Sequence, residues 1–74
     1  MKDGIYYLFD GMDGLLCNKL LTAEQVRELM TFDPTPYTEK DLKQTAADYE
    51  ATLYRCEYKD GEQVNKICLY DCGY

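Results

Sequence analysis

"TLYRCEYKDGEQVNKICLYD", Thr52 to Asp71, decides the fold class. Tyr54, Cys56 and Tyr58 alternate with Arg55, Glu57 and Lys59, the period-two rhythm of a strand with unlike faces. Asp60-Gly61 tolerates the positive φ angles of a two-residue turn, so the run reads as a β-hairpin. With that turn, Tyr54, Cys56, Tyr58, Ile67 and Leu69 share the more apolar face, which is the expected core side. Leu53, Arg55, Glu57, Lys59, Val64, Lys66, Cys68 and Tyr70 share the other. This register sets Arg55 opposite Lys66, an unfavourable like-charge pair.

Upstream, the rhythm is helical. In "LTAEQVRELM" Thr22 is an N-cap and Gln25 closes a capping box, with Leu21 stapled onto Val26. Val26, Leu29 and Met30 then share one face, and Asp33-Pro34 ends the helix. In "PYTEKDLKQTAADYEA" Thr38 caps, Asp41 takes the capping-box position, and Tyr37 staples onto Leu42. Leu42, Ala46 and Tyr49 follow at helical spacing. At the other end, Ile5 to Phe9 reads as a strand, with Leu15 to Lys19 returning antiparallel across the glycine-rich "DGMDG". The order is ββααββ. We expect one α+β domain over residues 1–74, an antiparallel sheet of two hairpins with two short helices on a single face.

Size and charge narrow the function classes. A domain of 74 residues buries only about 60% of the surface its unfolded chain exposes. A large catalytic cavity would compete with the core for the same apolar side chains, so an enzyme is not expected. Eight basic residues against fourteen acidic ones give a net charge of −6. That balance disfavours direct nucleic-acid binding and anionic membranes, and suits a protein partner with a basic surface. With no histidine, the commonest general base and metal ligand is absent. The apolar run Ile5 to Phe9 is too short for a signal-peptide core or a membrane span, so a cytoplasmic location is expected.

"LFDGMDGLL" resembles the first motif of the haloacid dehalogenase family, an apolar strand ending in Asp-x-Asp-Gly. There the first Asp attacks phosphorus and the second serves as acid/base. Here two residues, Gly11 and Met12, separate Asp10 from Asp13 where the family has one. The two carboxylates must converge on one phosphoryl group, so the stretch reads as a turn. Nor is it an EF-hand, since the third position from Asp10 is Met12 and the twelfth is Leu21.

In a reducing compartment Cys17, Cys56, Cys68 and Cys72 are free thiols or metal ligands. Only Cys68 and Cys72 lie close in sequence, and the two-residue turn points Cys56 and Cys68 to opposite faces. A loop one residue longer would put both on one face, still on the order of 13 Å apart along the strand. No metal and no cofactor is therefore expected. These four cysteines would be the ligands if a small zinc-binding domain were the answer.

Eight tyrosines are the compositional anomaly. Adjacent strand residues point to opposite faces, so Tyr6 and Tyr7 cannot both enter one core. The sheet face without helices should then be partly aromatic. The expected role is a non-enzymatic protein-interaction module, a regulatory adaptor, inhibitor or accessory subunit. Its candidate residues are Tyr6 or Tyr7, Asp10 and Asp13 at the loop, and Tyr70 and Tyr74 near the end. An acidic nucleic-acid mimic is the competing reading, and the outer sheet face or an edge strand leaves a homodimer open.

Overall fold

A computed structural model of the chain describes residues 2–11 and 19–71. In chain order the elements are β1 (Gly4–Asp10), β2 (Leu20–Leu21), α1 (Ala23–Met30), α2 (Glu39–Asp48), β3 (Thr52–Lys59) and β4 (Glu62–Tyr70). They form a small α+β domain whose four strands lie in the order β2-β1-β3-β4, each antiparallel to its neighbour. The strand beside β1 is Leu20–Leu21, whereas most of the anticipated Leu15 to Lys19 return lies outside the described residues.

Both helices begin as their sequences dictate. Thr22 Oγ1 accepts from the Gln25 amide at 3.1 Å, and Gln25 Oε1 accepts from the Thr22 amide at 2.9 Å. At α2 the Thr38 hydroxyl accepts from the Asp41 amide, and Asp41 Oδ2 accepts from the Thr38 amide and hydroxyl at 2.9 and 3.0 Å. Those donors favour the charged carboxyl and hold Asp41 below its ordinary pKa. α1 stops at Met30, capped by Thr31, before Asp33-Pro34 is reached. α2 ends in a Schellman arrangement: the Ala51 amide donates to the Ala46 carbonyl and the Glu50 amide to that of Ala47. Glu50 sits at φ 55°, in the region glycine usually fills. This turn leaves Tyr49 exposed rather than in the expected stripe, and directs Ala51 and Leu53 inward.

The core joins Tyr7, Phe9 and Leu53 from the sheet to Val26, Leu42, Ala46 and Ala51, with Leu21 and Tyr37 packed against it as the staples require. Leu29 is 43% exposed, so the inner face of α1 is narrower than its spacing suggests. Both helices therefore cover the sheet side carrying the odd-numbered residues of β1 and β3.

This inverts the expected facing of β3, whereas Ile67 and Leu69 of β4 keep to the helix side as expected. Leu53 pairs with Phe9, and Cys56 with Tyr6, so Tyr54, Cys56 and Tyr58 face away from the helices. Arg55 stays on the helix side because the layer ends there. Its Nε lies 3.6 Å from Glu39 at the start of α2, and Glu57 and Lys59 beyond it are exposed. The turn itself is as expected, with Asp60 at φ 54° and Gly61 at φ 80°. Irregularities between Glu57/Tyr58 and Leu53/Tyr54 then shift the register of β4. Residue Val64 is left over at the first shift, so Lys66 sits opposite Cys56 and Arg55 opposite Ile67. The bulge removes the Arg55–Lys66 clash.

Candidate functional site

Alternation and register together assemble the sheet face that the helices leave open. β1 contributes Tyr6, Leu8 and Asp10 to it, and Leu20 of β2 stands opposite Leu8. Tyr54, Cys56 and Tyr58 come from β3, and the bulge brings in Lys66 and Cys68 from β4. Tyr6, Leu8, Leu20, Tyr54 and Tyr58 are each half-buried, so the face is apolar and aromatic, and no described helix packs on it.

Its side chains are organised. The rings of Tyr6 and Tyr58 meet edge-to-face, 5.6 Å between centroids and 86° between planes. The Tyr6 hydroxyl donates to the Lys2 carbonyl at 2.9 Å. Lys66 Nζ lies 4.4 Å from the centroid of Tyr54. Between them Cys56 is fully buried although no helix lies above it. Its neighbours in the lattice of strands are Tyr6 and Lys66 directly opposite and Tyr54 and Tyr58 two residues along. Burial pushes the Cys56 thiol up, against a smaller downward pull from Lys66. A buried neutral thiol is a packing group rather than a nucleophile.

The predicted residues are distributed between the two faces and the undescribed segments. Tyr6 and Asp10 come together on the open face, with Asp10 exposed. Tyr7 is 7% exposed on the helix side, its hydroxyl donating to Glu39 at 3.3 Å, and burial raises its pKa. Tyr70 is half-buried beside Leu53 and packs against the core. Asp13, Tyr74, Cys17 and Cys72 lie outside the described residues. Cys56 and Cys68 share one face only two positions apart, because a one-residue shift of register leaves an offset of two residues, about 7 Å along the strand, rather than the ~13 Å expected above. Among the described residues no group of three or more potential ligands could hold a metal ion.

Every described acidic residue is exposed, but several are occupied within the fold. Asp33 accepts from the Thr35 amide and hydroxyl at 2.9 and 2.7 Å, which lowers its pKa. Asp3 accepts from the Asp60 amide at 2.8 Å, tying the start of β1 to the hairpin turn. A cleft of about 410 Å³, not anticipated from the sequence, runs between α1 and the Pro34–Tyr37 segment, lined by Ala23, Glu24, Arg27, Pro34, Pro36 and Tyr37. Arg27 there is engaged with the Asp33 carbonyl at 2.9 Å and with Glu28 at 3.7 Å.

The sequence reading already set Lys66 and Cys68 on the face away from the core; it missed that Tyr54, Cys56 and Tyr58 join them there. The two sets meet through a bulge that leaves no mark in the alternation.

No protein-family model, curated protein or solved structure matches this chain significantly. No described helix is long and apolar enough to cross a membrane.

Proposed function

We propose that the chain is a non-enzymatic protein-interaction module that docks a basic protein surface on the open face of its sheet. The observation that supports this most is the gathering of Tyr6, Leu8, Leu20, Tyr54 and Tyr58 on the side without helices. Tyrosines offer large contact area with few rotatable bonds, so little entropy is lost when a partner settles on them. A fully buried Cys56 beneath them means the surface is already packed before any partner arrives. The net charge of −6 supplies the attraction for a Lys- and Arg-rich partner, and the exposed Asp10 stands on the same face. Such a module belongs in the cytosol, where the exposed Cys68 stays a thiol.

The test is an NMR titration of isotope-labelled protein with Arg- and Lys-rich peptides, and with Glu-rich peptides as controls. Basic peptides should shift the amides of Tyr6, Leu8, Tyr54 and Tyr58, and should bind more weakly as salt is raised. Failure of every basic peptide to bind, or shifts confined to the helix side, would rule the reading out.

A further inference from the structure

Resting on that reading, we propose that Lys66 is a built-in occupant of the docking face. The ring of Tyr54 is the seat for a cationic side chain of the partner, and Lys66 fills that seat until it is displaced.

The lysine's position carries the inference. Lys66 pairs with Cys56 across the strands, whereas Tyr54 pairs with Cys68. The side chain must therefore reach diagonally to set its ammonium 4.4 Å from the Tyr54 centroid, inside the ~6 Å range of cation–π attraction. It reaches this face only through the register shift at Val64. In a chain with fourteen acidic residues, no described carboxylate pairs with this lysine; its partner is a ring. The face thus already recognises a cation, and its own chain supplies one.

Displacement should be easy. Lys66 is exposed, and its ammonium is strongly hydrated on a flexible stem. A partner's guanidinium stacks better on an aromatic face and keeps more freedom from hydration. The ring is half-buried on a strand paired on both sides, so its backbone position does not depend on the lysine. Exchanging one cation for another leaves the aromatic contact intact, and the partner's remaining charges then meet a surface with net charge −6.

The experiment measures affinity for an Arg-rich peptide in four proteins: wild type, Lys66→Met, Lys43→Met and Tyr54→Leu. Met keeps the apolar stem over Cys56 while removing the ammonium. Lys43→Met makes the same charge change on an exposed position of α2, and so controls for net charge. Lys66→Met should tighten binding about two- to fivefold beyond Lys43→Met, the factor expected of an exposed cation–π contact. Tyr54→Leu should weaken it by a similar factor, with amide spectra confirming that each variant is folded. Equal affinities for Lys66→Met and Lys43→Met would overturn the inference while leaving the basic-partner reading intact. Absence of binding by wild type and Lys66→Met alike would instead remove that reading, and this inference with it.

Discussion

The two faces of the sheet are built from alternate residues of the same strands, yet they are finished differently. On the helix side Tyr7, Phe9 and Leu53 meet Val26, Leu42 and Ala46, and water is excluded by a second layer of structure. On the open side Cys56 is fully buried among Tyr6, Tyr54, Tyr58 and Lys66, its neighbours in the sheet, and no described helix packs there. Long amphipathic side chains on three adjacent strands can cover a small residue while keeping their polar tips wet.

The sharpest way to break this contrast is to truncate one residue on each face. A chain of this length should have a stability of about 4 to 11 kcal/mol. Phe9→Ala on the helix side should lose about 3–5 kcal/mol of that, a large share of the total. Its neighbour Leu8→Ala, half-buried on the open side, should lose about 1 kcal/mol. Urea unfolding of both variants reads the difference, and equal losses would mean that the two faces contribute alike.

Next in size is the thiol beneath the aromatic layer. Cys56→Ser places a hydroxyl where water cannot follow and should cost about 1–3 kcal/mol. Cys68→Ser, at an exposed position, should stay within about 0.5 kcal/mol of wild type. A thiol reagent should modify Cys68 at once and Cys56 only as the protein opens. Rapid labelling of Cys56 in the native state would show that its cover is leaky.

The helix layer has its own weak and strong points. Thr38→Ala removes the hydroxyl half of the capping box at α2, leaving the Thr38 amide on Asp41, and should cost about 1 kcal/mol by thermal or urea melting. Glu50→Gly should act in the opposite sense and stabilise by about 1 kcal/mol, because Glu50 holds a left-handed conformation at the Schellman turn. A loss of stability in Glu50→Gly would mean that the glutamate side chain makes a contribution larger than its backbone strain.

The smallest effect concerns acid. Asp33 and Asp41 accept hydrogen bonds from Thr35 and Thr38, and both titrate below their ordinary range in the folded protein. Their contribution is complete above the unfolded carboxyl pKa and is lost as pH falls through the lower folded values. Stability should thus decline on acidification below the normal aspartate range, and Asp41→Asn should decline less steeply. Parallel pH profiles for the two proteins would assign the loss to other groups.

Much of this architecture was legible in local chemistry. Thr22 with Gln25 and Thr38 with Asp41 marked both helix starts, and Asp60-Gly61 marked the turn, because caps and turns are decided by residues within a few positions of one another. The split of Tyr6 from Tyr7 followed from the pleat alone. What was misread has two causes, one distant and one local. The facing of β3 depended on Phe9 meeting Leu53, more than forty positions away, and on where α2 stops short of Arg55. The end of α2 was misjudged because an α-left Glu50 breaks the stripe before Tyr49.

By itself, then, the sequence determined both helices, the first strand, the last hairpin and the acidic, tyrosine-rich composition. The tertiary structure alone decided which face went inward and who stood beside whom. Alternation assigns residues to two sides but is symmetric between them. The choice is made by packing against distant helices, and one unpaired residue at Val64 is enough to move Lys66 from a clash with Arg55 to a seat over Tyr54.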